Sequence, residues 1–254
     1  MDLGNFGLGP EAFWAAVAVT LFAGFVKGAV GFAMPLIMIS SFSAFLEPEQ
    51  ALAGLILPTV VTNISQATRQ GMGAARDSVT KYHRFLIATL VLIVISAQFV
   101  RAIPQELFLI LLGVPITAFA LAQLSGRKLA LKLQHRHRAE WVMGAIGGLY
   151  GGVSGVWGPP LIVYLLSIGA DKVETVRVQG VVFFLGAVVL LGAHLQTGVM
   201  AGPNLWFSAA LVVPAMVGQL LGQRLQDRLD QARFRRWTQA LLVLTGLNLI
   251  WRAF

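Results

Sequence analysis

Apolar residues run in long, unbroken tracts at roughly 12–45, 51–68, 85–100, 105–124, 141–168, 176–195, 204–223 and 237–252, with short polar or basic stretches between them. Most tracts are near the roughly 20 residues that a helix needs to cross about 30 Å of hydrocarbon. They are continuous rather than alternating, and too long for barrel strands, so the predicted class is an all-α integral membrane protein. Two tracts depart from the pattern. The first, 12–45, is longer than one span and carries GFVKGAVGFAMP from Gly24 to Pro35 in its middle. The fifth, 141–168, carries GGVSGVWGPP from Gly151 to Pro160. Glycine and proline both disfavour an uninterrupted helix, so each tract is predicted to be a helix, a turn and a second helix. Within lipid such a turn is tolerated only where protein buries it or where it lines a cavity.

The two odd tracts resemble each other. A shift of 127 places Trp14 on Trp141, Gly24 on Gly151, Val26 on Val153, Gly28 on Gly155, Gly31 on Gly158 and Gly71 on Gly198. Lys27 then falls on Ser154, and a slip of two residues brings Pro35, Leu36 and Ile37 onto Pro160, Leu161 and Ile162. The common order and offset predict a duplication, with a first transmembrane repeat at 1–126, a basic cytoplasmic linker at 127–138 and a second repeat at 139–254.

Charge bears on how the repeats cross the membrane. The dense basic loops are 69–84, 126–138 and 224–236, and basic loops favour the cytoplasm. Three single crossings between the second and third loops would put the third outside. The conflict disappears if 141–168 enters and returns as a re-entrant hairpin. Applied to both halves, this predicts two inverted repeats, each a broken-helix hairpin plus three transmembrane helices; the alternative is eight plain transmembrane helices. The loop charges follow inversion. Loop 69–84 is basic whereas its mate 196–203 is uncharged, and loop 101–106 holds one arginine and one glutamate whereas its mate 224–236 is strongly basic.

Bulk composition agrees with the tracts: 57% of the 254 residues are hydrophobic and 12% charged, against about 25% charged in soluble domains. The net charge of +8 sits in the loops, where it suits topology and anionic headgroups rather than nucleic acid. No cysteine is present, which excludes disulfides, thiolate metal sites and cysteine nucleophiles. The N-terminus carries Asp2 and Glu11 and no basic n-region, unlike a cleaved signal peptide. No Walker loop is present, no catalytic residue set lies at membrane depth, and no cofactor is implied. His135 and His137 lie in the linker without carboxylate company, so no metal site is expected, and His194 ends the sixth tract as a solvated or titrating histidine. No aspartate or glutamate occupies the middle of a tract, where a cation carrier would want one.

A broken helix exposes unpaired N–H groups at the start of its second half, at the positive end of its dipole, and glycine lets an anion approach that backbone. The candidate substrate-binding residues therefore centre on the breaks: Lys27, Gly28 and Gly31 in the first, and Ser154, Gly155, Trp157 and Gly158 in the second. The two breaks are expected to converge near the midplane, a recurring design in secondary transporters. Lys27 is a cation deep in a tract, which a bound anion would compensate. Ser154 either donates to the anion or bonds its own helix, and Trp157 either walls the pocket or packs. Asn63, Gln66, Arg177 and Gln179 are further polar candidates on the second tract and its mate. Arginine makes forked contacts to oxyanions.

The broken first helix of each half, carried by Gly24, Gly28, Gly31 and Pro35 and by Gly151, Gly155, Gly158, Pro159 and Pro160, resembles the sulfite exporter TauE/SafE family, also called the toluene sulfonate uptake permease family. Phe32, Ala33 and Trp157 stand where family members often carry further glycines. The resemblance implies a secondary transporter of small sulfur-containing anions, such as sulfite or sulfonates, in a multi-pass cell inner membrane setting, and no enzyme. An uncoupled anion channel and a carrier for non-sulfur organic anions are the alternatives. The expected partners are a small anionic substrate and membrane lipid, with no nucleic acid; a homodimer is compatible with the sequence.

Overall fold

A computed structural model describes residues 7–126, 135–225 and 230–254, so most of the basic linker expected at 127–138 lies outside the described residues. The chain is helical throughout, with no strand among the described residues. Among the described residues twelve α-helices follow one another: α1 Pro10–Val30, α2 Met34–Phe42, α3 Pro48–Thr68, α4 Met72–Lys81, α5 His83–Ala97, α6 Gln105–Leu124, α7 Arg136–Ser154, α8 Gly158–Ser167, α9 Lys172–Gln196, α10 Pro203–Ala210, α11 Val212–Leu225 and α12 Gln231–Trp251. The second six repeat the first six in order. A long helix is followed by a short one opened by proline, then a long helix, a short one, and two more.

Among the described residues five segments are long and apolar enough to cross a membrane: Pro10–Ala29, Pro48–Thr68, Gln105–Leu124, Val173–Gln196 and Pro203–Arg224, the last combining α10 and α11. A sixth is possible if α4 and α5, bent by 82° to each other, form one span. The protein is thus a multi-pass membrane protein. The tract at 237–252 contributes a shorter apolar helix, Leu242–Trp251.

Neither odd tract is a plain helix, yet the hairpins are lopsided in a way that the sequence pattern does not convey. Gly24, Lys27 and Gly28 stay inside α1, and Gly151 and Ser154 stay inside α7. The first arms are therefore 21 and 19 residues long, or about 31 and 28 Å, and of the two α1 is apolar enough to count among the candidate spans. Only the second arms, α2 and α8, are short, at 9 and 10 residues.

The reason these glycines do not break the helices is packing. The chain forms two compact units, Met1–Pro58 with Arg101–Arg127 and Gly198–Phe254, and Thr59–Val100 with Lys128–Thr197. Each unit draws on both halves of the sequence. In the first, α1 lies along α11 and α6 along α12; in the second, α7 lies along α5. A Cβ on Gly24 would sit 2.4 Å from the Ala215 carbonyl oxygen, and one on Gly28 would sit 2.2 Å from that of Gln219. The facing helix answers with Gly218 and Gly222, where a Cβ would meet Leu21 O and Phe25 O at 2.1 Å each. Two small-xxx-small stripes thus let two backbones touch, the geometry that favours helix pairing in lipid. In the second unit Gly144, Gly148 and Gly152 form the same kind of stripe against α5, and a Cβ on Gly152 would come within 2.5 Å of Ile93 O. Here hydroxyls add cross-helix bonds: Thr89 Oγ1 donates to Gly144 O and Ser96 Oγ to Gly148 O, each at 3.0 Å.

Gly28→Ala and Gly152→Ala are expected to lower the melting temperature of the detergent-purified protein, each costing about 1–3 kcal/mol of overpacking, because the obstructing atoms are backbone at Gly28 and backbone together with the Ser96 hydroxyl at Gly152. Gly192→Ala, where nothing lies within 4 Å of the added carbon, is expected to leave it unchanged. Thermal unfolding followed by light scattering checks this; unaltered melting of the first two variants would contradict the close approach.

Candidate functional site

The first break occupies Gly31 to Ala33. Gly31 adopts φ 88°, ψ −5°, and its N–H donates to Lys27 O at 2.7 Å, closing α1 with a left-handed cap. Ala33 follows with φ 81°, the one non-glycine residue with positive φ among those described. An L-residue there costs about 1–2 kcal/mol and persists only where its surroundings over-determine it. Pro35 then fixes the opening turn of α2, and Ile37 N–H donates to Ala33 O at 2.9 Å. Lys27 lies in the last turn of α1 and is 3% exposed.

The second break occupies Gly155 to Trp157 and is built on the same plan. Gly155 has φ 71°, and its N–H donates to Gly151 O at 2.7 Å. The left-handed caps correspond at Gly31 and Gly155, so the structural offset at the breaks is 124, not the 127 that best aligns the sequence. Lys27 therefore matches Gly151 rather than Ser154, and Gly31 matches Gly155 rather than Gly158. Glycines recurring every three or four residues align almost equally well in several registers, and only the φ angle distinguishes the cap from the packing positions.

Three side chains hold the second break. Ser154 Oγ donates to Tyr150 O at 2.7 Å and accepts from Val156 N–H at 3.1 Å, so its proton goes to its own helix. Val156 N–H would otherwise continue the ladder to Gly152 O. That carbonyl is instead reached by His194, whose Nε2 lies 3.0 Å away, with Nδ1 3.3 Å from Thr197 Oγ1. A carbonyl only accepts, so Nε2 carries the proton. His194 is fully buried at the end of α9, not solvated as its place at the end of a tract suggests. The sequence points to His194 but not to this contact, because its partner is a backbone oxygen, which leaves no residue pattern. Trp157, 2% exposed, is wedged between α7 and α9. Its ring comes within 2.8 Å of where a Cβ on Gly151 would sit and 2.7 Å of one on Gly186, and it meets Phe183 edge-on.

The remaining candidates lie elsewhere in the second unit. Asn63 and Gln66 are buried on α3, and Gln66 Nε2 donates to Val176 O at 3.3 Å. Gln179 is buried on α9. Arg177, in the second turn of α9, donates from Nε to Ser78 Oγ and from Nη1 to Gln70 Oε1, both at 2.9 Å. It ties α9 to α4 and to the end of α3, beside the Lys81–Glu174 ion pair and the Tyr82 hydroxyl that donates to Glu174 at 2.9 Å. Asp171 caps α9 by accepting from Glu174 N–H at 2.8 Å.

The prolines set how many donors each break offers. Among the first three positions of α2, Met34 and Leu36 carry N–H groups and Pro35 does not; in α8, Gly158 does, and Pro159 and Pro160 do not. What the chain presents is a pair of interrupted helices, each closed by a left-handed glycine and resumed by a proline-opened helix. This is the backbone arrangement of a multi-pass solute transporter. The family model for the TauE/SafE sulfite exporters matches residues 16–249, and the chain belongs to that family, a family of membrane transporters and not of enzymes. No match was found among curated proteins or among solved structures.

Proposed function

We propose that the protein is a secondary carrier of small sulfur-containing anions, sulfite or sulfonates, in the cell inner membrane, and that the anion is held by backbone N–H groups at the helix breaks. The observation that carries the reading is the shared construction of the two breaks, with left-handed caps at Gly31 and Gly155 and proline-opened helices behind them. A short helix so opened turns the positive end of its dipole toward the gap, which suits an anion. Lys27 adds a buried cation one turn before the first gap. An anion entering the first gap would come within about one helical turn of the Lys27 side chain. Gly31 belongs to the first contact region, and Gly155, Trp157 and Gly158 to the second, whereas Gly28 packs α1 against α11. Ser154 acts by shaping the backbone. Asn63, Gln66, Gln179 and Arg177 are proposed as polar lining on the path to the second region. The sequence repeats are proposed to cross the membrane in opposite senses, as the loop charges require.

Lys27→Ala is expected to reduce sulfite uptake into proteoliposomes by tenfold or more in apparent affinity while leaving yield and monodispersity unchanged. Wild-type affinity and rate in that variant would remove Lys27 from the site. Saturable counterflow is expected of a carrier, and large unitary currents would make the protein a channel instead. For the crossing sense, a single cysteine introduced at position 172 is expected to label from the cytoplasm and one at 48 from the outside; labelling of both from one side would contradict inversion.

A further inference from the structure

The proline pair in the first turn of α8 removes two of the four amide donors that a helix start normally offers. The residue just before α8, Trp157, carries a side-chain donor with no partner among the described residues. Trp157 is 2% exposed, and its indole Nε1 is buried with no hydrogen-bond partner among the described residues. An indole N–H only donates, and buried tryptophans usually find it a partner. Leaving such a donor unmet costs about 1–3 kcal/mol. The ring's position is nonetheless strongly specified. Glycines at 151 and 186 clear the space it fills, and Nε1 lies 3.0 Å from where a Cβ on Gly186 would sit. The start of α8 addresses the same stretch of α9, since a Cβ on Gly158 would meet the Phe183 ring at 3.3 Å, and Phe183 also packs edge-on against the Trp157 ring. The indole edge and Gly158 thus both lie against the Phe183–Gly186 stretch of α9.

We propose that the indole N–H of Trp157 donates a hydrogen bond to an oxygen of the sulfite or sulfonate anion at the start of α8, in place of the amide donors that Pro159 and Pro160 lack. This rests on the anion-carrier reading and deepens it. It names the donor chemistry of the second contact region and gives Trp157 a role that packing alone does not. A sulfite or sulfonate group has several oxygens, so one anion can accept from the indole and from Gly158 N–H together. The competing occupant is an ordered water that satisfies the same N–H.

The test uses the full-length protein purified in detergent, with sulfite, sulfate and sulfoacetate as probes. Trp157 is replaced site-specifically by 3-benzothienylalanine, which keeps the bicyclic shape and exchanges the N–H for sulfur, and in parallel by Trp157→Phe. The expected result for the isostere is a sulfite Kd raised about tenfold or more, the scale of one hydrogen bond to a charged acceptor. The melting temperature of the anion-free protein should be unchanged or higher, because an unmet donor has been removed. Trp157→Phe should lose affinity alike, whatever its stability. A purely structural tryptophan predicts the reverse, lower melting with unaltered affinity. An isosteric variant that binds sulfite as tightly as the wild type overturns the proposal and leaves water as the partner. Wild-type protein that binds none of the three anions is a different result. It removes the carrier reading, and the role of the indole falls with it.

Discussion

Backbone that leaves the helical hydrogen-bond ladder inside a bilayer has to find its partners locally, because lipid offers none. Both breaks in this chain are organised around that constraint. At each, a left-handed glycine turns its N–H back onto the preceding turn, at Lys27 O and at Gly151 O. The second break goes further. Ser154 takes the Val156 N–H, and His194 reaches across from α9 to the Gly152 carbonyl that this diversion leaves open. At the second break the Gly152 carbonyl is therefore satisfied within the protein, and the proposed anion contact falls on the donor side, at the start of the following helix.

Close packing makes such breaks affordable. Small-residue stripes on α1 and α11 in one unit, and on α7 against α5 in the other, bring backbones together until any added methyl would collide. Helices held this tightly continue through glycines that would weaken a free helix, and they stop only where φ turns positive. Each unit joins helices from both halves of the sequence, so neither half is complete without segments of the other.

Much of this was legible in the residues. The tract pattern located most of the helices, though α4 lies in the stretch read as the basic loop 69–84 and the tract 204–223 divides into α10 and α11; two glycine–proline clusters located the interruptions. The cluster composition carried the family resemblance that the match over residues 16–249 bears out. What the residues did not convey was which glycines pack and which turn. Gly24, Gly28 and Gly151 look like break residues by type but are packing residues by contact. The register of the duplication slipped by three for the same reason, since a glycine stripe is periodic and its end is marked only by backbone conformation. The contact that His194 makes was illegible because its partner is a carbonyl. Ser154 was read as having either an anion or its own helix as partner, and the helix takes its proton. Charged pairs such as Lys81–Glu174 and Arg101–Glu49 join residues far apart in sequence, which no local pattern brings together.

The proposed role of the backbone amides at each interruption is to receive an anion. Hydrogen–deuterium exchange of the purified protein with and without sulfite reads those amides directly. The account predicts slower exchange with sulfite in the segments 31–36 and 155–161, and no change in the helix at 105–124. Protection confined to segments away from both interruptions, at a sulfite concentration that saturates transport, would contradict it.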